Sequence, residues 1–213
     1  MSQRVGPQLS KSRFLGGLQC LKRLFLECYH RDLADVVGSG QQGFFDSGTA
    51  VGELARQRFP NGLLILEDHL NHSDAVQSTA RAIADNTVPA IFEAAFTLEG
   101  IRIRVDVLKR TGADAFDLIE VKSSTKVKPE HIPDVAIQLH VLEGLGIKVE
   151  KAGLLRIDNG YVYQGGSYDL EHVAVMQQPV QDGGGDDRVS QQLSPFSEPL
   201  VGSQDDAAPF VPG

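Results

Sequence analysis

The strongest constraint on the fold is a change of hydrophobic period near residue 90. Beyond that point apolar and polar residues alternate, most clearly in the run IRIRVDV that begins at Ile101. Such alternation is typical of β-strands with one buried face. A tight turn at Glu99-Gly100 is predicted to join the first two of these strands. Three central strands are predicted, over 90–98, 101–110 and 115–123.

Most of the remaining apolar residues follow helical spacing. Ser10 is a candidate N-cap of the first helix, and Gly residues between 38 and 43 predict a loop after it. Helices are predicted over 11–29, 47–59, 73–85 and 129–144. Shorter strands are predicted over 63–66, 152–157 and 160–164, the last two as a hairpin. The sequence therefore predicts an α/β fold with a central mixed sheet flanked by helices and an N-terminal helical region.

The composition fits one globular domain with an appended tail. Apolar residues make up 41% and charged residues 23% of the 213 residues, which excludes a fully disordered chain. We predict one domain over 8–177. Residues 178–213 are rich in Gly, Pro, Ser, Gln and Asp, and predict a disordered acidic tail. Such a tail is a linker to another domain, an acidic arm that competes with nucleic acid, or a frayed terminus.

Segments for membrane insertion or export are not evident in the sequence. Its apolar runs fall short of the roughly 20 residues that cross a bilayer, and no signal-peptide pattern follows the N-terminus. Two cysteines give no disulfide framework. These features predict a cytoplasmic protein without a membrane partner.

The charge of the chain is unevenly distributed. A formal net charge of −8 argues at first against a nucleic-acid partner. However, residues 1–32 carry six Lys/Arg and two Asp/Glu, whereas residues 178–213 carry one Arg and six Asp/Glu. A positive beginning and an acidic tail leave a polyanionic ligand open.

Three charged residues on the second and third predicted strands form the candidate site. Asp106 lies on one strand, and Glu120 and Lys122 leave the same face of the next. Neighbouring strands lie about 4.8 Å apart, so the two carboxylates can meet at one ion. Such ligands suit Mg²⁺ or Mn²⁺, while Lys122 can orient an attacking water beside a phosphate. A salt bridge in an unrelated α/β domain is the alternative explanation.

Two further carboxylates are candidate metal ligands. Glu93, in the sequence AIFEAAF, lies on the preceding strand and is either a ligand or a solvent-facing carboxylate of an edge strand. Glu53, in the sequence TAVGELAR, lies on a predicted helix, where a glutamate is usually solvated.

These residues belong to a longer pattern. Asp106 followed by Glu120-Val121-Lys122 resembles the PD-(D/E)xK nuclease superfamily, with Val105 in place of the eponymous proline. The ordered motifs LSKSRFLGGLQCLKRLFLE, GTAVGELARQRFPNG, IFEAAF, EVKSST and IQLHVL resemble its RecB-like branch, which includes CRISPR-associated exonucleases. They are most similar to an uncharacterised bacterial family with such a module at its N-terminus. The resemblance covers about residues 8–165.

The resemblance implies a restriction-endonuclease-like core and a Mg²⁺- or Mn²⁺-dependent nuclease that hydrolyses DNA in repair, recombination or defence. It does not indicate single- or double-stranded DNA. It assigns roles to five residues: metal ligation to Asp106 and Glu120, catalysis to Lys122 and Gln138, and an acidic position near the site to Glu93. Glu53 matches a position where many relatives have a metal-binding histidine, and Leu142 replaces the usual tyrosine.

Some relatives hold an iron–sulfur cluster through one N-terminal and three C-terminal cysteines. Cys20 matches the first, but no cysteine follows Cys28, so a four-cysteine cluster cannot form within this chain. The departures at Glu53 and Leu142 leave an alternative open. The chain would then be a catalytically inactive nuclease-fold module that binds nucleic acid or a protein partner, as part of a longer protein.

Basic residues near both ends of the predicted domain are candidate contacts to a DNA backbone. Solvated surface lysines and arginines are the alternative explanation for the same residues. They are Lys11, Arg13, Lys22, Arg23, Lys126 and Lys128.

Overall fold

A mixed β-sheet forms the centre of the molecule. The computed structural model describes residues 8–34, 39–158 and 174–177, of which 39–47 and 174–177 are described as backbone only. Within these residues the sheet has seven strands in the order β2-β3-β4-β5-β6-β7, with β1 beside β4. The strands are β1 (Leu9–Ser10), β2 (Leu63–Leu64), β3 (Ala90–Leu98), β4 (Ile101–Arg110), β5 (Ala115–Lys122), β6 (Lys148–Ile157) and β7 (Ala174–Gln177).

Five α-helices and one short 3-10 turn are described around this sheet. They are α1 (Lys11–Gln19), α2 (Leu21–Tyr29), the 3-10 turn (Arg31–Leu33), α3 (Ser39–Gln57), α4 (His72–Ala84) and α5 (His131–Gly144). This arrangement confirms the predicted α/β class with an N-terminal helical region. None of the described helices is long and apolar enough to span a bilayer.

The three central strands follow the sequence prediction closely. Strands β3 and β4 have the predicted bounds and pair antiparallel. The turn between them has positive φ angles of 48° at Glu99 and 84° at Gly100, as a two-residue hairpin turn requires. Strand β5 pairs antiparallel with β4, and β6, which follows α5, pairs parallel with β5. The predicted strand over 160–164 and the predicted tail over 178–213 lie outside the described residues.

Helices cover the sheet through two hydrophobic clusters. The larger cluster joins α4 and α5 to the sheet and includes Ala75, Leu139 and Leu118. The smaller cluster places Ala55 of α3 against the sheet beside Ile119. Because neighbouring residues of β5 belong to different clusters, helices pack on both faces of this strand. The end of β5 that carries Glu120 is therefore enclosed by α3 and α5.

The predicted single helix over 11–29 is wrong, because the helix breaks at Cys20. Cys20 is extended, with φ −163° and ψ 119°, and separates α1 from α2. The two helices then pack closely through a glycine: a Cβ at Gly17 would lie 2.9 Å from Leu24 Cδ2. Helical spacing continues across Cys20, so the break is not visible in the apolar pattern. As a result Leu21 is 78% exposed instead of lying on a buried stripe.

The predicted loop over 38–43 is also largely wrong, because α3 begins at Ser39. A glycine inside a helix costs roughly 1 kcal/mol relative to alanine. That cost is small enough for the rest of a 19-residue helix to outweigh it. Glycine therefore indicated a loop more strongly than its energetic effect justifies.

Gly62 lies directly beneath a buried aromatic ring. A Cβ at this position would lie 2.4 Å from two ring atoms of Phe92 and 3.2 Å from the Ala90 carbonyl oxygen, and Phe92 is only 4% exposed. We expect Gly62→Ala to lower the free energy of unfolding in urea by about 1–3 kcal/mol through overpacking. Gly112→Ala is the control, because its Cβ would meet only Ala115 Cβ at 3.6 Å. Equal losses in both variants would contradict this explanation.

Candidate active site

Asp106 and Glu120 lie opposite each other where β4 and β5 separate. Val107 pairs with Ile119, so the same register sets residues 106 and 120 across from one another. Residues opposed in an antiparallel pair share a face of the sheet. The Val121 N–H donates a hydrogen bond of 2.7 Å to Asp106 Oδ2, which joins the two strands at this point.

Glu120 is the centre of the hydrogen-bond network and is 2% exposed. Lys122 Nζ lies 2.7 Å from Glu120 Oε1, and Gln138 Nε2 lies 2.7 Å from Oε2. Lys11 Nζ donates to both oxygens, at 2.9 and 3.0 Å. The structure thus brings Glu120 together with Lys122, which shares its strand face, and with Gln138, which the resemblance placed at the site, and it adds a second ammonium.

Asp134 and Lys11 are site residues that the sequence analysis did not place there. The Asp134 carboxylate, on α5, accepts a hydrogen bond from Lys122 and lies 3.2 Å from Lys11 Nζ. It is 3% exposed. Asp134 precedes Gln138 by four residues, a spacing that puts both on one face of a helix and could have indicated it. Lys11 follows the two-residue strand β1, whose pairing with β4 has no periodic signal.

Charges within this cluster shift the pKa values in opposite directions. Burial opposes ionisation of Glu120, but the ammonium groups of Lys11 and Lys122 lower its pKa to about 2. Burial and the charge of Glu120 raise the pKa of Asp106 to about 8. Burial also opposes the charge of Lys11, yet the nearby carboxylates raise its pKa above the usual value. At neutral pH the site therefore keeps Asp106 largely protonated beside an ionised Glu120.

A cavity of about 340 Å³ opens over these carboxylates. Asp106, Glu120 and Glu93 line it from the sheet, together with Val107 and Val121. Helix α3 provides the facing wall through Gly48, Thr49, Gly52 and Arg56. A Cβ at either glycine would meet no atom within 4 Å, so there is open space beside the helix.

The two other predicted metal ligands are turned toward arginines. Glu93 has a φ of 56°, a rare conformation for a residue with a side chain, and its carboxylate lies 3.2 Å from Arg104 Nε. Glu53 is 62% exposed, lies 3.9 Å from Arg56 and is not among the residues that line the cavity. Within the described residues no group of three or more His, Cys, Asp or Glu is arranged to hold a metal ion. Ligation by Glu93 or Glu53 stays a prediction.

Asp106 and Glu120 nevertheless fit a hard divalent cation. Both offer carboxylate oxygens to the cavity, without a soft cysteine ligand, as Mg²⁺ or Mn²⁺ prefers. Burial and the charge of Glu120 raise the pKa of Asp106, and a cation bound between the two carboxylates would favour the ionised form of Asp106. Two protein ligands leave coordination positions for water and for phosphate oxygens.

Several other residues that the sequence analysis singled out do not line the active-site cavity. Leu142 is completely buried in the larger hydrophobic cluster, so this position packs the core. Cys20 is exposed and Cys28 is half-buried, and both are free thiols. Lys126 and Lys128 are exposed, and Lys128 Nζ lies 4.0 Å from Glu130.

Lys11 is expected to stabilise the fold because it balances two buried carboxylates. Loss of one partner from a buried ion cluster leaves charge unpaired. We expect Lys11→Met to lower the free energy of unfolding by about 2 kcal/mol, less than a fully buried pair because the lysine is 23% exposed. Lys22→Met, on the exposed surface of α2, should change it by less than about 0.5 kcal/mol. Urea denaturation of both variants tests this, and equal effects would contradict it.

Comparisons with known proteins give structural similarity alone. No protein-family model and no curated protein matches the chain. A crystal structure of an alkaline exonuclease (LHK-Exo) from Laribacter hongkongensis is similar at 14% identity and a TM-score of 0.45, over 89% of this chain and 85% of that chain. The crystal structure of SSO0001 is similar at 15% identity and a TM-score of 0.26, over 87% of this chain and 86% of that chain. At these values neither structure assigns a role to any residue of this chain.

Proposed function

We propose that residues 8–177 form a metal-dependent DNA nuclease of the PD-(D/E)xK superfamily, in its RecB-like branch. One observation supports this above all. Asp106 and Glu120 oppose each other beside a cavity, with the Lys122 ammonium 2.7 Å from the Glu120 carboxylate. This combination suits phosphodiester hydrolysis, because oxygen ligands can hold a divalent cation and an ammonium stabilises negative charge that develops on phosphate.

Each residue of the cluster has a distinct part in the proposed reaction. Asp106 and Glu120 would hold Mg²⁺ or Mn²⁺, which when bound polarises the phosphate and acidifies a water molecule. Asp106 gives up its proton when it takes this role. Lys122 orients the attacking water and offsets charge on the phosphate as it becomes pentacovalent.

Gln138 and Asp134 act on the groups around them. The Gln138 amide donates to Glu120 Oε2 and to the Asp134 carbonyl oxygen, which fixes the carboxylate against α5. Asp134 holds the ammonium groups of Lys122 and Lys11. Such supporting hydrogen bonds keep a metal ligand and a catalytic lysine in one orientation.

The test is cleavage of end-labelled single- and double-stranded DNA with Mn²⁺, with and without EDTA. We expect the wild type to cleave DNA and EDTA to abolish this cleavage. The variants Asp106→Asn and Lys122→Ala should both lose the activity. Asp114→Asn, in an exposed turn, is the matched control and should retain it. Cleavage that persists unchanged in both site variants would overturn the assignment.

A second function is favoured by the contacts of Lys11. Its ammonium already engages both oxygens of Glu120 and one of Asp134. If a cation cannot displace it, the chain is an inactive nuclease-fold module that binds nucleic acid or a protein partner. Calorimetry with Mn²⁺ separates the two functions, because the inactive module should show no binding that depends on Asp106.

A further inference from the structure

A second and larger cleft lies beside the active site and is lined mainly by residues of the N-terminal helices. Its volume is about 1270 Å³, and its walls come from α1, α2, the 3-10 turn, β4 and the start of α4. Lys11 and Arg104 belong both to this cleft and to the network of the active site. Five more basic residues line it: Arg13, Lys22, Arg23, Arg31 and Arg102.

The charge of this cleft is opposite to that of the chain. Its lining includes seven Lys/Arg and a single carboxylate, Glu27, although the whole chain has 28 Asp/Glu against 20 Lys/Arg. Positive charge gathered in a concave surface attracts polyanions and raises their local concentration. The cleft therefore has the electrostatic character of a polyphosphate site in an otherwise acidic protein.

Several of these cations are not neutralised by carboxylates. Arg13 donates to the main-chain oxygens of Gln8 and Glu27, at 2.8 and 3.1 Å, which fixes its guanidinium but leaves its charge. Among the described residues, Lys22 and Arg31 have no carboxylate within ion-pair distance. Cations held in place by neutral acceptors are available to an anionic ligand.

Arg102 provides a more specific indication of a ligand. Its Nε is buried and has no hydrogen-bond partner among the described residues. A buried unpaired donor is costly, and arginine pairs especially well with phosphate oxygens. Because Arg102 also lines the cleft, an anion bound there would meet its guanidinium group.

The cleft borders the active-site carboxylates through Lys11 and Arg104. Lys11 Nζ lies 2.9 Å from Glu120, and Arg104 Nε lies 3.2 Å from Glu93, and both carboxylates line the active-site cavity. A ligand held along the cleft is thus separated from the cavity by single side chains.

We propose that this cleft binds the backbone of a single nucleic-acid strand and leads it to the active site. The substrate assignment rests on the proposed nuclease function. A duplex exposes its phosphates on a convex surface and is read by elements that enter its grooves. Cations on several walls of a concave cleft instead suit one strand, whose backbone follows a basic groove while bases stack on arginine or histidine. His30 and Arg102 are such groups in the lining.

The test is fluorescence anisotropy with a labelled oligo-dT strand in EDTA, which stops cleavage. The variant is Lys22→Glu with Arg31→Glu, two exposed residues outside the active site. We expect binding to be at least tenfold weaker. The slope of log K against the logarithm of the salt concentration should become shallower by about 1.4, because each lost phosphate contact removes roughly 0.7 from it. The control is Lys148→Glu with Lys151→Glu, exposed residues at the far end of β6, with a change below twofold.

Two results would overturn the proposal: equal weakening in the control, or a duplex of the same length that binds as tightly as the single strand. The outcomes also separate this proposal from the nuclease function. Binding that depends on the cleft without Mn²⁺-dependent cleavage would refute the nuclease alone. Cleavage with binding unchanged in the cleft variant would refute the cleft assignment alone.

Discussion

Replacing Lys122 with methionine is expected to slow Mn²⁺-dependent DNA cleavage by about a thousandfold, the size typical of a lost electrostatic stabiliser of the transition state. The Lys122 ammonium lies 2.7 Å from Glu120 and also contacts Asp134. Methionine keeps most of the side-chain volume but removes the charge, so the effect should fall on the chemical step.

Mn²⁺ binding separates this effect from loss of the site. Because Lys122→Met removes a positive charge beside the metal ligands, Mn²⁺ should bind at least as tightly as in the wild type. Single-turnover cleavage and calorimetry measure the two quantities. Lys148→Met, at an exposed lysine that begins β6, should cleave within about twofold of the wild-type rate. More than a tenth of wild-type activity in Lys122→Met would exclude a catalytic role for this lysine.

Mn²⁺ binding is expected to strengthen by about fiftyfold between pH 6 and pH 8. Burial and Glu120 raise the pKa of Asp106 to about 8, so below that pH the ion must displace a proton from Asp106. Displacement of one proton changes the apparent affinity about tenfold per pH unit well below the pKa and by less as the pH approaches it. Calorimetry in two buffers of different ionisation enthalpy should count close to one proton released per ion at pH 7.

The raised pKa of Asp106 also makes the folding stability of the metal-free protein depend on pH. The usual pKa of an unfolded aspartate is about 3.9, so between about pH 4 and pH 8 the folded chain holds a proton that the unfolded chain releases. Stability should therefore fall as pH rises through this interval, and Asp106→Asn should remove that contribution. Asp114→Asn is the control for both measurements. A proton count near zero at pH 7 would show that Asp106 is already ionised.

Local patterns predicted the parts of the fold and site that depend on neighbouring residues. The bounds of β4 followed from alternation, and the end of β3 followed from the tight turn at Glu99-Gly100. The meeting of Asp106 with Glu120 followed from strand pairing across one connection. Lys122 shared its face with Glu120 because the two are two residues apart. These features need no knowledge of distant contacts.

The features that were missed depend on tertiary contacts. The break at Cys20 follows from the packing of α1 against α2, which helical spacing does not record. Lys11 reaches the site through a strand of two residues, too short for any period. The left-handed backbone of Glu93 interrupts the pairing of β3 with β4, since Phe92 and Ala94 pair but Glu93 does not. No local signal indicates that a glutamate adopts this conformation.

The contact of Lys11 with Glu120 has a consequence for how the protein assembles. It joins residues 109 positions apart in the chain. Contacts of such separation form late, because closing a long loop costs entropy before other interactions compensate. The central hairpins can pair early, but the carboxylate cluster acquires its second ammonium only when the N-terminal helix docks. We therefore expect the charge network to be completed late in folding, because Glu120 and Asp134 have only Lys122 between them until α1 brings Lys11 to the site.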